Sequence, residues 1–288
     1  VYKLAKIKNM INYIQGEKFY QVADFLYSPN IKPEFDDYNI IQNTYNKNKL
    51  SGNLDIIYTH TLYVKHLFNE IKDLKQKFII VTHNSDINID SSFIIPDNVI
   101  KWYAQNVDVI NDKIESIPIG HPNNRWFPHM RKLEKLRNKL NEIKKHKNLL
   151  YLNHTIKTNP KERKEPYDLL QNKSWVSLIY GTNGVDYDRY IDDIYNHKFV
   201  LCPAGNGIDT HRLWEVLDLK SIPVVKKHIN NLYYKDLPIC FVDSWNDITE
   251  EFLEKEYDRI NKIEWDLSKL NFDYWKNKIT NVNTKRIR

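Results

Sequence analysis

From Phe199 to Val225 the chain reads FVLCPAGNGIDTHRLWEVLDLKSIPVV, and this stretch gathers residue types that can hold an anion. Two of only seven glycines, Gly205 and Gly207, flank Asn206 in a single loop. Glycine is used where backbone must come close to something or adopt positive φ. An apolar run precedes the loop and a helix-like run follows it, so the order is strand, glycine loop, helix start. That order presents free backbone N–H groups to an anion, and in an open α/β sheet it lies beyond the carboxyl ends of the strands, where ligands bind. The loop has neither the Gly-Lys-Ser/Thr ending of a P-loop nor the three-glycine spacing of a dinucleotide fingerprint. Asp209 and Thr210 are placed to cap the helix. Arg212 falls in its first turn, where the helix dipole disfavours a cation without an anionic partner, and a diphosphate would supply one. His211 stands beside it, within reach of the same phosphate. Glu215, one turn on, would reach the ligand's ribose hydroxyls. The competing reading is an Arg212–Glu215 surface pair, worth only about 0.3–0.5 kcal/mol.

The elements that must position these residues alternate along the chain. NLDIIYTH (Asn53–His60), KFIIVTHNSD (Lys77–Asp86), part of VIKWYAQNVDV and KIESIPIGHP read as strands of a first half. NLLYLNHT (Asn148–Thr155), WVSLIYG, KFVLCP, SIPVV and PICFVD read as strands of a second, with helical periods between. Short apolar runs separated by helices predict parallel sheets with helices on their faces. Between the halves, MRKLEKLRNKLNEIKKHK carries Leu133, Leu136, Leu140 and Ile143 at helical spacing on an otherwise basic segment. The domain reading is therefore 1–130, a basic linker helix 131–147, a second domain 148–270 and a C-terminal tail or helix 271–288. At 288 residues, 41% hydrophobic and 13% aromatic, the chain can bury real cores. A net charge of +6 favours an acidic partner: nucleic acid, an anionic membrane or a phosphorylated small molecule. Cys202 and Cys240 sit in apolar runs as expected of buried free thiols, which supports neither a disulfide framework nor a zinc site. No stretch approaches the roughly 20 apolar residues of a membrane span.

The segment CPAGNGIDTHRLWEVLDLKSIPVV resembles the donor-binding segment of exostosin-like glycosyltransferases, in which Pro-x-Gly-x-Gly-x-Asp-x-x-Arg-x-Trp-Glu-Ala-Leu is followed by Ile-Pro-Val-Val. KWYAQNVDV, IPIGHP, LLYLNHTIKTNPKER and LPICFVDSWNDITEEFL are similar to flanking segments of that family, so the resemblance spans most of Lys101–Leu253. Compact forms of the family occur in soluble viral and microbial proteins. The resemblance implies a GT-B-like α/β fold, with two Rossmann-like domains facing across a cleft and a nucleotide sugar held by the second. It implies ribose binding by Glu215, diphosphate binding by Arg212 with the Gly205–Gly207 loop, and a second phosphate ligand in Arg163. Asn153 and Thr158 would contact the same donor. The match departs from the pattern at Asp218-Leu219-Lys220, where the family has a small residue and glycine, and Lys220 would crowd or charge the uracil side.

Glycosyl transfer must stabilise a departing diphosphate, a task for fixed cations and helix N-termini. An inverting reaction also needs a group to take the acceptor's proton. VTHNSD places Asp86 and His83 just past a strand end, and IYTHT places His60 similarly. Asp86 is the first choice and His83 the second, against the alternative that each is an ordinary turn residue. Asn84 and Asn106 are weaker candidates for sugar hydroxyls. Asp186-Tyr-Asp188 matches the Asp-x-Asp of metal-dependent transferases, but carboxylates at a helix start explain it more plainly, so no metal or other cofactor is expected. The reaction expected is inverting transfer from a UDP-sugar to a glycan or glycoprotein acceptor. The resemblance offers glucuronic acid, galactose, xylose or arabinose as the sugar, with xylose preferred. A cytoplasmic location is expected, because a glycan on the Asn153-His-Thr sequon would obstruct the donor site; an anchor preceding this sequence stays open. The alternative is a non-enzymatic nucleotide- or polyanion-binding module that uses the basic helix 131–147, including Lys132, Lys135, Lys144 and Lys145, to hold nucleic acid.

Overall fold

A computed structural model describes residues 12–28, 44–123, 127–138, 146–178 and 186–282. Within them the chain forms two compact units. One takes residues 12–123 together with 271–282, and the other takes 127–270. Each carries a five-stranded, all-parallel sheet, so the α/β class read from the alternation holds.

In the first unit, β1 (Phe25–Tyr27), β2 (Leu54–His60), β3 (Lys77–His83), β4 (Val99–Ala104) and β5 (Ile114–Ser116) lie side by side in chain order. The inner strands are continuous apolar runs, as strands covered on both faces must be: Phe78, Ile79, Ile80 and Val81 of β3 are all buried. Helix α1 (Gly16–Tyr20) precedes the sheet and α2 (Val64–Ile71) links β2 to β3. The β3–β4 and β4–β5 connections carry no helix; they are stitched together by a parallel bridge between Ile89 and Val107.

The second unit begins with α3 (Phe127–Asn138) and continues β6 (Asn148–Leu152), α4 (Pro160–Leu170), β7 (Val176–Leu178), α5 (Tyr187–Asn196), β8 (His197–Leu201), α6 (His211–Asp218), β9 (Ile222–Lys226), α7 (Ile229–Leu232), β10 (Cys240–Val242) and α8 (Glu250–Asn261). Sheet order is β10-β9-β8-β6-β7. Counted within the unit this is 5-4-3-1-2, a doubly wound order whose direction reverses between β6 and β8. At that reversal the loops leaving two adjacent strands diverge and open a crevice, where ligands of open α/β sheets bind. The basic helix is part of this unit. Leu133 is buried, Lys132 donates to Asp192 at 2.8 Å, and Arg137 pairs with the buried Asp218 at 2.9 Å. Leu140, Ile143, Lys144 and Lys145 lie outside the described residues.

The last helix, α9 (Phe272–Thr280), packs with the first unit, burying Phe272, Trp275 and Ile279. Both cysteines are buried free thiols. Among the described residues no helix is long and apolar enough to cross a membrane.

Candidate nucleotide site in the second unit

The carboxyl ends of β6 and β8 border the order reversal, and the residues leaving them are Asn153 and His154 on one side and Cys202 to Gly207 on the other. The β8 loop is held from across the reversal. Arg163, on the first turn of α4, donates from Nε to the Ala204 carbonyl at 2.8 Å and from Nη1 to the Thr155 carbonyl at 3.1 Å. Asn159 caps α4 by accepting from the Glu162 amide at 3.3 Å, and its own amide donates to the Gly205 carbonyl at 2.8 Å. Pro160 follows at the first helical position, where its missing N–H costs nothing.

Gly205 brings the backbone close to a side chain of α4. A Cβ there would lie 3.0 Å from Nη2 of Arg163. The close approach anticipated from the glycine is thus made by an arginine of the same unit. Gly205 and Gly207 are buried, while Asn206 between them is exposed.

Arg212 meets the same strand end from α6, its Nη1 lying 3.4 Å from the Leu201 carbonyl. Its guanidinium sits over the Tyr190 ring, 5.5 Å from the centroid. Burial pushes Arg163 down to about 10, and the charge of Arg212 pushes the same way. Among the described residues neither guanidinium has a carboxylate in ion-pair range; Glu215 attracts Arg212 only at longer reach. Two repelling cations at one strand end is the electrostatic arrangement that an anion relieves.

The start of α6 departs from the predicted cap. Thr210 occupies the N-cap position in extended conformation but its side chain makes no capping bond. Asp209 is buried and accepts from the Trp214 indole N–H, at 3.0 and 3.1 Å to its two oxygens. A carboxylate five residues ahead of a buried indole satisfies a donor that has no water to turn to, and that need outweighs the cap. His211 is half-buried at the first helical position.

Glu215 is 4% exposed, which rules out a solvated surface pair with Arg212. Its Oε1 accepts from the Tyr187 hydroxyl at 2.9 Å and its Oε2 from the Tyr190 hydroxyl at 2.8 Å. Asn153, buried, donates to the Tyr151 hydroxyl at 2.6 Å, and that hydroxyl donates to Asp193 at 3.2 Å. Thr158 is exposed in a short 3-10 turn before α4. Lys220 follows α6 with φ 57, in the left-handed region, and burial lowers its ammonium. Asp186 and Asp188 stand at the start of α5.

Four contributors escaped the sequence reading: Asn159, Tyr187, Tyr190 and His154. The last is buried at the end of β6, donating from Nε2 to the Arg163 carbonyl at 2.8 Å. Burial drops its imidazole to about 4, so it stays neutral beside the two arginines. Cys202 is no nucleophile, since burial pushes its thiol up to about 12.

The residues proposed for acceptor chemistry lie at the carboxyl edge of the first sheet. Asp86 is exposed in the loop after β3. His83 is 1% exposed and stacks on Phe19. Its Nδ1 accepts from the Asn84 amide at 2.7 Å while Nε2 donates to the Pro118 carbonyl at 2.9 Å, so both ring nitrogens are engaged. His60 donates to the Asn84 carbonyl at 2.9 Å. Asn84 and Asn106 end adjacent strands and both hold φ 58. Left-handed asparagines at neighbouring strand ends mark a backbone held against its preference. Gly16 is what admits Asn84, since a Cβ there would overlap the asparagine side chain.

No family model matches the chain, and no curated protein does. Among solved structures it is similar to the pneumococcal O-GlcNAc transferase GtfA in complex with UDP and GlcNAc, at 10% identity over 78% of this chain and 53% of that one, with a TM-score of 0.30. It is likewise similar to the GtfA/B complex, at 12% identity over the same shares, with a TM-score of 0.32. The chain spans about half the length of each of those chains.

Proposed function

We propose that the chain is a glycosyltransferase that holds a UDP-sugar in its second unit, where the strand order reverses between β6 and β8. The observation that carries this reading is the pair Arg163 and Arg212 at the end of β8, charged and without an ion-pair partner among the described residues. A diphosphate there would sit between the two guanidiniums and the first turn of α6, and the same contacts would stabilise it as the leaving group. Glu215 would take the ribose hydroxyls. Uridine follows from the resemblance of this segment to the exostosin-like donor site, which also brings Asn153, Thr158, Asn206 and His211 to the donor. The acceptor's proton is assigned to Asp86, which is exposed, with His83 as the buried residue that fixes its strand end. Transfer would invert the anomeric centre and proceed without a metal.

The test is thermal-shift titration with UDP, GDP, CMP and a panel of UDP-sugars including UDP-xylose, with and without EDTA. Ligand at a hundred times its dissociation constant adds about 2.7 kcal/mol to stability, a readily visible rise in melting temperature. UDP should stabilise the protein with EDTA present, and Arg163→Ala and Arg212→Ala should each abolish the shift in a folded protein. Silence across the panel would overturn the reading. Of the basic helix that a polyanion-binding module would use, Lys132 and Arg137 are committed to Asp192 and Asp218, Lys135 is exposed, and Lys144 and Lys145 lie outside the described residues.

A further inference from the structure

Glu215 is a buried carboxylate with a hydroxyl on each oxygen, and both hydroxyls come from α5 rather than from its own helix. A carboxylate oxygen has two lone pairs. One donor on each oxygen therefore fixes the plane of the group and leaves one acceptor site per oxygen, the pattern that two vicinal ribose hydroxyls match. Tyr190 has a second contact, with its ring under the Arg212 guanidinium. One side chain thus touches both the carboxylate and the cation of the site. Burial and the neighbouring Glu215 charge raise both phenols well above their ordinary range, so the hydroxyls remain donors at any physiological pH.

We propose that Tyr187 and Tyr190 are positioning residues that orient Glu215 toward the ribose hydroxyls, Tyr190 also holding Arg212 in register with them. The proposal rests on the nucleotide-sugar reading above. It makes the site selective for ribose over deoxyribose, through a carboxylate whose direction is set from another helix.

The experiment measures affinity for UDP and for 2′-deoxy-UDP by calorimetric titration of the full chain at pH 8. Wild type, Tyr187→Phe, Tyr190→Phe and the double variant are compared. The groups that interact with the carboxylate are Tyr187 and Tyr190 from α5, Arg212 from α6, and Cys202 from the end of β8. The double variant should bind UDP about tenfold more weakly, the scale of one or two hydrogen bonds, and its preference for UDP over 2′-deoxy-UDP should collapse. Tyr190→Phe keeps the ring under Arg212 and carries the same comparison, with a smaller change, should the double variant not fold. Folded variants that keep the wild-type preference for UDP over 2′-deoxy-UDP would overturn the proposal, even if UDP binding weakened. Wild-type protein that ignores both nucleotides would overturn the nucleotide reading itself, and this proposal with it.

Discussion

Gly205 and Arg163 make one feature, because a side chain on the first would crowd the guanidinium of the second. A glycine signals that something comes close, and nothing in its own neighbourhood says what; the arginine lies 42 residues earlier in the chain. The atom a Cβ would meet is the tip of a flexible side chain, so Gly205→Ala should leave the melting temperature almost unchanged while shifting the guanidinium a few tenths of an ångström. A several-fold rise in the dissociation constant for UDP is the expected result, and unchanged affinity would mean that Arg163 serves the loop alone. His154 gives a second prediction. Its imidazole titrates near 4 in the fold against an ordinary 6.5, because it is buried. Between those pH values the unfolded chain binds a proton that the folded chain refuses. Its contribution is therefore full above 6.5 and is lost as the pH falls through the window, by up to about 3 kcal/mol. His154→Gln retains a donor for the Arg163 carbonyl and removes the titration. Melting temperatures followed from pH 7 to pH 4 should fall less in the variant than in wild type; parallel curves would refute the assignment.

Among the elements, α4 and α6 meet the glycine loop from opposite sides of the order reversal, and Asn159 ties the first of them to it. Its side-chain oxygen caps α4 while its nitrogen holds the Gly205 carbonyl. Asn159→Asp keeps the acceptor, loses the donor and places a negative charge beside the loop. Stability should stay within about 0.5 kcal/mol, since aspartate caps as well as asparagine, while UDP affinity drops at least tenfold. Asn159→Ala removes both roles and should cost about 1 kcal/mol of stability. Denaturant melts paired with nucleotide titrations separate the two effects. Strands β2 to β10 were legible in the sequence because each is a short apolar run between turn residues. Their lateral order was not, since strand pairing is decided by contacts far apart in the chain. The glycine loop and the α6 start could be located from residue types alone, but the cap could not. Asp209 had two claimants, the helix amides and the Trp214 indole, and only burial decides between them. Tyr187 and Tyr190 were hidden for a related reason: on an amphipathic helix two tyrosines three apart look like packing, and their carboxylate lies 28 and 25 residues further on.

At the scale of the whole molecule, the chain returns at its end to the unit it left at residue 123. Sequence order set 271–288 apart as a C-terminal tail or helix; α9 forms there and is built into the first unit by several contacts. The Phe272 amide donates to the Asn12 carbonyl at 2.8 Å, Asn12 donates to Asp273 at 3.0 Å, and Phe272 packs edge-on against Phe19 with centroids 5.3 Å apart. The Tyr103 hydroxyl reaches the Lys278 carbonyl at 3.3 Å, and Lys278 is ion-paired with Glu115. Truncating one buried Phe or Trp costs about 3–5 kcal/mol, and α9 buries one of each together with Ile279. That sum rivals the whole 5–15 kcal/mol of a typical domain. A chain ending at Leu270 should therefore lose the cooperative fold of its first unit while keeping the second, which owns its sheet and the proposed nucleotide site outright. Hydrogen exchange can read the two sheets separately. Protection should vanish from 54–60, 77–83 and 99–104 and persist in 148–152, 197–201 and 222–226, with the UDP-induced rise in melting temperature retained. Trp275→Ala should produce the same pattern in weaker form, with faster exchange confined to the first sheet. Protection retained in all six strands of the truncated chain would show α9 to be an ornament of the first unit; protection lost from all six would show that the two units fold as one.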